Sequence, residues 1–129
     1  MVDFGMQPEN IRAVRLGIAS HNLFDLAYAY LVARRNKVLN FFSFEMIEGM
    51  ANHVRRAIQE TGQEMVLYAP VATRDQFINA IGYLTRRLDE NSGEKNFLRR
   101  LNRLETNSDS WRFLADHFKA SIQQKDRPA

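Results

Sequence analysis

The stretch YAPVATRDQFINAIGYLTRRLDEN, Tyr68–Asn91, decides the fold. An apolar strand carrying Met65, Val66 and Leu67 runs into Tyr68 and a turn that holds Pro70. Beyond the turn, Phe77, Ile81, Leu84 and Leu88 recur at helical spacing and predict an inward-facing stripe. Thr73-Arg74-Asp75-Gln76 reads as a T-x-x-Q capping box opening that helix, and Asn91-Ser92-Gly93 as its stop. A strand, a short turn and an amphipathic helix make one βα unit. This unit ends on Arg86, Arg87 and Glu90. Two adjacent guanidiniums suit a carboxylate or phosphate, because the planar donor fork matches two oxygens at once. By residue type alone a solvated i,i+3/i,i+4 charge cluster comes ahead of an anion clamp.

The same pattern occurs twice upstream. Val14–Ala19 reads as a short strand with an internal glycine, Gly17, followed by Ser20-His21-Asn22. Asn22 is a good N-cap for LFDLAYAYLVARR, with Asp25 in the first turn and Arg34, Arg35 and Lys37 near the last, the polarity that complements a helix dipole. That helix is apolar on much of its circumference and predicts cover on more than one side. Val38–Glu45 is the second strand, aromatic at Phe41, Phe42 and Phe44. The helix after it carries Ile47, Met50, Val54 and Ala57/Ile58, with Thr61-Gly62 as its stop. Glu64–Ala69 is the third strand. Ahead of all this, Met1–Gln7 is a lead of mixed character and Pro8 opens a small helix, PENIRAV. Behind it come a short helix at Asn96–Leu104, a polar break at Glu105–Ser110, and a last helix with Trp111, Leu114, Phe118 and Ile122 on one face before the charged end QQKDRPA.

Three βα units in succession imply parallel strands with helices covering the sheet, an α/β chain with C-terminal helices. In such architectures chemistry gathers where strands end and helices begin. The residues at that edge are Ser20, His21 and Asn22 after the first strand, Glu45 and Glu48 after the second, and Tyr68 at the end of the third. Taken singly each has an ordinary reading: a cap, a loop histidine, a solvated strand end, a core aromatic with a wet hydroxyl. Their shared edge raises the case for a common site.

With 129 residues, 45% of them hydrophobic, the chain is one domain's worth of polypeptide. No apolar run approaches the roughly 20 residues of a membrane span. The N-terminus lacks a basic region followed by an apolar core and cleavage site, and there are no cysteines, so a cytoplasmic setting is expected. The three histidines are scattered without a metal-ligand spacing, so no protein-built metal site is expected. The net charge of +3 comes from Lys and Arg interleaved with Asp and Glu, so nucleic acid is not an expected partner. No Ser-His-Asp set, glycine-rich phosphate loop or dinucleotide fingerprint can be assembled, so redox chemistry here would need a cofactor.

Four motifs in order resemble a known family. They are SHN at Ser20–Asn22, FExxxGM at Phe44–Met50, YAP-V-x-T at Tyr68–Thr73, and RRLxEN at Arg86–Asn91 with Phe-x-x-Arg at Phe97–Arg100. Together they are similar to the C-terminal part of the flavin-dependent proline dehydrogenase barrel of the bifunctional proline utilization A proteins. The resemblance spans roughly Arg15 to Arg100. It implies the last part of a (β/α)8 TIM-type barrel over residues 1–104, with 105–129 a C-terminal helix or linker. It also implies FAD as cofactor and oxidation of L-proline to pyrroline-5-carboxylate. Arg86 and Arg87 would hold the proline carboxylate, Tyr68 would pack against the pyrrolidine ring, and Glu90 would orient the arginines. Ser20, His21 and Asn22 would line the flavin, Glu45 stands where the family has a flavin-contacting glutamine, and Phe97 where it has an aromatic beside the cofactor. No residue with a catalytic role of its own is implied here.

The departures are specific. Ser20 replaces a threonine. Glu45 for glutamine adds a charge and removes a donor. The segment between Tyr68 and the arginine pair is a few residues longer than in the best-known members. The strands that would carry the catalytic lysine, an aspartate and most flavin contacts are absent, and three strands cannot close a barrel. The implied partners are therefore the remainder of the barrel or a further copy of the chain, since unpaired strand edges invite pairing. The alternative to an enzyme segment is a catalytically inactive fragment acting as a self-associating or partner-binding module. For the full-length enzyme the family implies peripheral contact with a membrane quinone.

Overall fold

Each of the three expected βα units begins with a strand, and the strands lie side by side in sequence order. In the computed structural model, which describes residues 1–94, 96–101 and 104–124, β1 (Leu16–Ala19), β2 (Phe42–Ile47) and β3 (Met65–Tyr68) form one sheet of order β1-β2-β3. Both pairings are parallel, with Ala19 beside Glu45 and Ile47 beside Tyr68. α3 (Leu23–Arg35) joins the first two strands and α4 (Asn52–Glu60) the second two, with α1 (Val2–Gly5) and α2 (Pro8–Ile11) leading in. α5 (Phe77–Glu90), α6 (Phe97–Leu101) and α7 (Asp109–Gln124) follow. The chain divides into two compact units, Met1–Val71 and Ala72–Ala129.

The core of the first unit is built on β2. Phe42, Phe44 and Met46 alternate along the strand and are all buried, with the two phenylalanine rings edge to face at 5.1 Å. Fully burying a side chain of this size stabilises by about 1.5–3 kcal/mol. α3 contributes Leu26, Ala29, Val32 and Ala33, and α4 contributes Val54 and Ile58, at the spacings that align on one helix face. Met6 and Ile11 complete the core from the N-terminal helices. Tyr28 donates to Asp3 at 2.6 Å and Asn36 to the Met6 carbonyl at 2.8 Å, fastening that lead to α3.

α3 starts as expected, Asn22 Oδ1 accepting the Phe24 N–H at 3.1 Å. It ends in a Schellman arrangement: Val38 N–H reaches the Ala33 carbonyl and Lys37 N–H that of Arg34, with Lys37 left-handed at φ 58°. Cover on more than one side is not found. The buried residues form a single stripe, and Leu31 is 59% exposed. The second strand begins four residues later than expected, because Leu39–Phe41 form a 3₁₀ turn. That turn is held by Gln63, whose amide donates to the Leu39 and Phe42 carbonyls. Ile47 belongs to β2 and Met50 to the turn after it, so only Val54 and Ala57/Ile58 of the expected apolar set lie on α4.

In the second unit the capping box does not form. Thr73 bonds with the Asp75 carboxyl, holding it below the usual range, and Arg74–Gln76 wind as a 3₁₀ turn before α5 starts at Phe77 without a side-chain cap. A short side chain that finds a local partner competes with the cap. The expected inward stripe is not buried either: Phe77 is 60%, Ile81 44% and Leu88 61% exposed. The described part of α6 is Phe97–Leu101; Asn102 and Arg103, over which the expected helix continues, lie outside the described residues, as does the charged end beyond Gln124. Phe97 and Leu101 of α6 and Leu114 of α7 are buried, and Trp111, Phe118 and Ile122 on the same face of α7 are partly so. No described helix is long and apolar enough to cross a membrane.

Candidate functional site

Parallel pairing brings the ends of β1, β2 and β3 to one edge, and Ser20, His21, Asn22, Glu45, Glu48 and Tyr68 gather there. Their polar atoms are largely turned on one another. Ser20 Oγ accepts the Asn22 N–H at 3.0 Å and donates to Asp25 at 3.3 Å. Burial pushes the Asp25 carboxyl up, and the Ser20 and Asn22 side chains pull it partly back. His21 Nε2 accepts the Ile47 N–H at 3.1 Å, a donor that points towards β1 just past that strand's last residue. The ring thus extends the ladder by one position. An accepting Nε2 carries no proton, so the ring is neutral with its hydrogen on Nδ1. Burial, the largest influence, lowers the His21 pKa, with hydrogen bonding to the Ile47 backbone acting the other way.

Glu45 accepts the Tyr68 hydroxyl at 3.0 Å, and this bond raises the phenol's pKa. Glu48 receives both bonds of Arg55 Nη1, at 3.1 and 3.0 Å. That pair braces a turn in which Gly49 (φ 83°) and Ala51 (φ 48°) are both left-handed. Sequence reasoning named Glu48 and passed over Arg55, although its place in the first turn of the following helix was the available signal.

In the second unit, the last turns of α5 carry the arginine pair. Arg87 Nη2 donates to Glu90 Oε1 at 2.7 Å, and its guanidinium lies over the Tyr83 ring, 5.4 Å from the centroid. Its Nε is buried and has no hydrogen-bond partner among the described residues. Arg86 is exposed. Phe97 is only 5% exposed, one of the core side chains of its unit.

Two apolar clefts occur in the first unit, and none of the residues singled out above as site candidates lines either. One, of about 420 Å³, is bounded by Phe4, Val14, Leu16 and Ile18 at the free side of β1. The other, of about 220 Å³, lies among Leu26, Tyr30, Phe44, Val54 and Ile58. No group of acidic, histidine or cysteine side chains suited to a metal occurs among the described residues.

The donors at the strand-end edge fit the rim of a nucleotide cofactor more than a complete cradle. His21 Nδ1–H remains to offer, while the Ser20 and Asn22 oxygens are committed to the backbone and Glu45 presents an acceptor already bonded to a phenol. Comparison with curated proteins gives no match. Among solved structures, proline utilization A from Bdellovibrio bacteriovorus, inactivated by N-propargylglycine, is similar with a TM-score of 0.71 and 32% identity over 88% of this chain. The chain spans 11% of that protein's length. The family model described as proline dehydrogenase matches residues 1–100, the span that holds the three βα units and the arginine pair, and on that match the chain belongs to the proline dehydrogenase family.

Proposed function

We propose that this chain is a segment of an FAD-dependent proline dehydrogenase that oxidises L-proline to pyrroline-5-carboxylate, and that it contributes the carboxylate-binding arginines and part of the flavin edge. The observation that carries this reading is Arg87. Its guanidinium is fixed by Glu90 and Tyr83, and its buried Nε, like that of Arg55, has no acceptor among the described residues. A buried donor without a partner costs about 1–3 kcal/mol. A ligand carboxylate is the acceptor that a guanidinium edge matches best, and Arg86 adds a second cation beside it. Glu90 orients Arg87, and Tyr68 packs against the substrate ring.

Ser20, His21, Asn22, Glu45 and Phe97 would line FAD, with His21 Nδ1–H as the free donor. When bound, FAD supplies the acceptor for the hydride that leaves proline as its ring C=N bond forms. This chain's residues bind and orient the substrate's anionic end, and the chemistry's other protein groups belong to strands not in the chain. Residues 1–104 form the barrel segment and 105–129 a C-terminal helix or linker. The setting is cytoplasmic, with a membrane quinone as acceptor in the complete enzyme.

Expected of the 129-residue chain alone are neither stoichiometric flavin absorbance nor proline:dye oxidoreduction. Both should appear when the preceding strands of the barrel are supplied, in one reading frame or by co-expression. A yellow, active preparation of the chain alone contradicts the segment reading, and lack of activity in a complete, flavin-loaded barrel contradicts the function. A second reading, a catalytically inactive module that associates with itself or with a partner, is supported by the exposed apolar residues Val66, Leu67, Phe77 and Ile78.

A further inference from the structure

We infer that Glu45 is a positioning residue for Tyr68, seated in a notch that Gly17 leaves in the neighbouring strand. The inference rests on the proposed placement of Tyr68 at the substrate ring. Glu45 stands on the middle strand, beside Ala19 of β1 and Val66 of β3. Its Oε2 accepts the Tyr68 hydroxyl at 3.0 Å. Its Oε1 lies over β1, where a Cβ added at position 17 would overlap both that oxygen and Cδ. One side chain thus links all three strands at the edge where the candidate residues gather.

Gly17 has no conformational reason to be glycine. The glycines with positive φ are Gly49 and Gly62. A glycine inside a strand weakens it relative to alanine, and it marks places where another group approaches the backbone closely. Here that group is the Glu45 carboxylate. Gly17, Glu45 and Tyr68 therefore form one device: the notch admits the carboxylate, and the carboxylate fixes the phenol.

The effect on Tyr68 follows from its bonding. The residue is 49% exposed, so without a partner its ring would sample several rotamers at little cost. With its proton committed to Glu45, the phenol offers a ligand a fixed aromatic face and an oxygen lone pair in place of a hydroxyl donor. That is the chemistry of a wall against an apolar ring. The family glutamine replaced by Glu45 could hold the same hydroxyl only through its amide oxygen.

The test is an ultraviolet tyrosinate titration of the chain, with the Tyr68→Phe signal subtracted to isolate one tyrosine of the four. Glu45→Gln should shift the Tyr68 midpoint downward, because the anion is removed while an acceptor remains. Nuclear Overhauser contacts between the Tyr68 ring and residue 45 should persist in Glu45→Gln and vanish in Glu45→Ala. Gly17→Ala should lower the midpoint and the stability together, and its stability loss should disappear in a Glu45→Ala background. An unmoved midpoint in Glu45→Gln, or equal destabilisation by Gly17→Ala in both backgrounds, overturns the inference. Should Gly17→Ala fail to fold, Glu45→Gln and the ring contacts decide alone. None of these measurements needs flavin or proline, so their failure leaves the proposed function standing, and failure of that function leaves them unchanged.

Discussion

The two units of the chain differ in how much of their apolar surface they bury. In Met1–Val71, eleven of the buried hydrophobic side chains come from two strand-connecting helices, a central strand and the lead, with Phe42, Phe44 and Met46 at the middle, and Val38 adds a twelfth from the turn after α3. Among the described residues of Ala72–Ala129, three are buried, and α5 has none although its sequence is amphipathic. The difference separates two meanings of an apolar stripe. On α3 and α4 the stripe meets the face of β2, so it stabilises the unit that contains it. On α5 the stripe is ready for a surface that the described residues do not provide, and its contribution waits for that surface. The proposed substrate arginines sit on the helix whose burial is incomplete, while the strand-end polar network sits on the unit that is internally packed.

The largest expected effect breaks the first unit. Phe44→Ala should cost about 3–5 kcal/mol, removing a buried ring and leaving a cavity at the centre of the sheet; urea unfolding followed by circular dichroism measures it. Loss of less than about 1 kcal/mol would mean that β2 is not the core. Next is Asn22→Ala, which deletes the cap of α3 and should cost about 1 kcal/mol in the same assay.

A smaller effect is expected of pH. His21 has its folded-state pKa lowered by burial, so below its unfolded value of 6.5 the unfolded chain takes up the proton more readily. Stability should therefore fall as pH drops from 6.5 towards the folded pKa and be fully present above 6.5. His21→Gln should flatten that slope, and an unchanged slope would remove His21 from the strand-end network. At the bottom of the scale, Ile81→Ala on the exposed stripe of α5 should change the stability of the isolated chain by no more than about 0.5 kcal/mol. A cost near that of Phe44→Ala would erase the contrast between the units.

How much of this was legible in the sequence depends on the range of the interaction concerned. The three βα periods, the parallel sheet, the Asn22 cap and the shared strand-end edge follow from local pattern, and each is present. The start of β2 was misplaced because a continuous apolar run from Val38 to Phe44 carries no mark of where a 3₁₀ turn gives way to a strand. The capping box failed because Thr73 found Asp75 first. Burial of the α5 stripe could not be read at all, since it depends on what covers the helix and not on the helix.

The family was legible through motif order, in SHN, FExxxGM, YAP and RRLxEN, whereas periodicity alone leaves Arg86, Arg87 and Glu90 as surface charges, so the proposed roles of the candidate residues rest on that resemblance. The bond from Tyr68 to Glu45 joins residues 23 apart on neighbouring strands, so it needed the register. Gly17, a glycine inside a four-residue strand, was the one local hint of it.

The central claim is that Arg87 is held ready for a carboxylate. Its most direct test is the steady-state kinetics of Arg87→Met in a complete, flavin-loaded barrel containing this segment. Losing a charge-assisted contact of about 1.5–3 kcal/mol predicts a rise of roughly 10–100-fold in the KM for proline, with flavin content unchanged. An unaltered KM would contradict the account and return Arg87 and Glu90 to an ordinary ion pair on a solvated helix face.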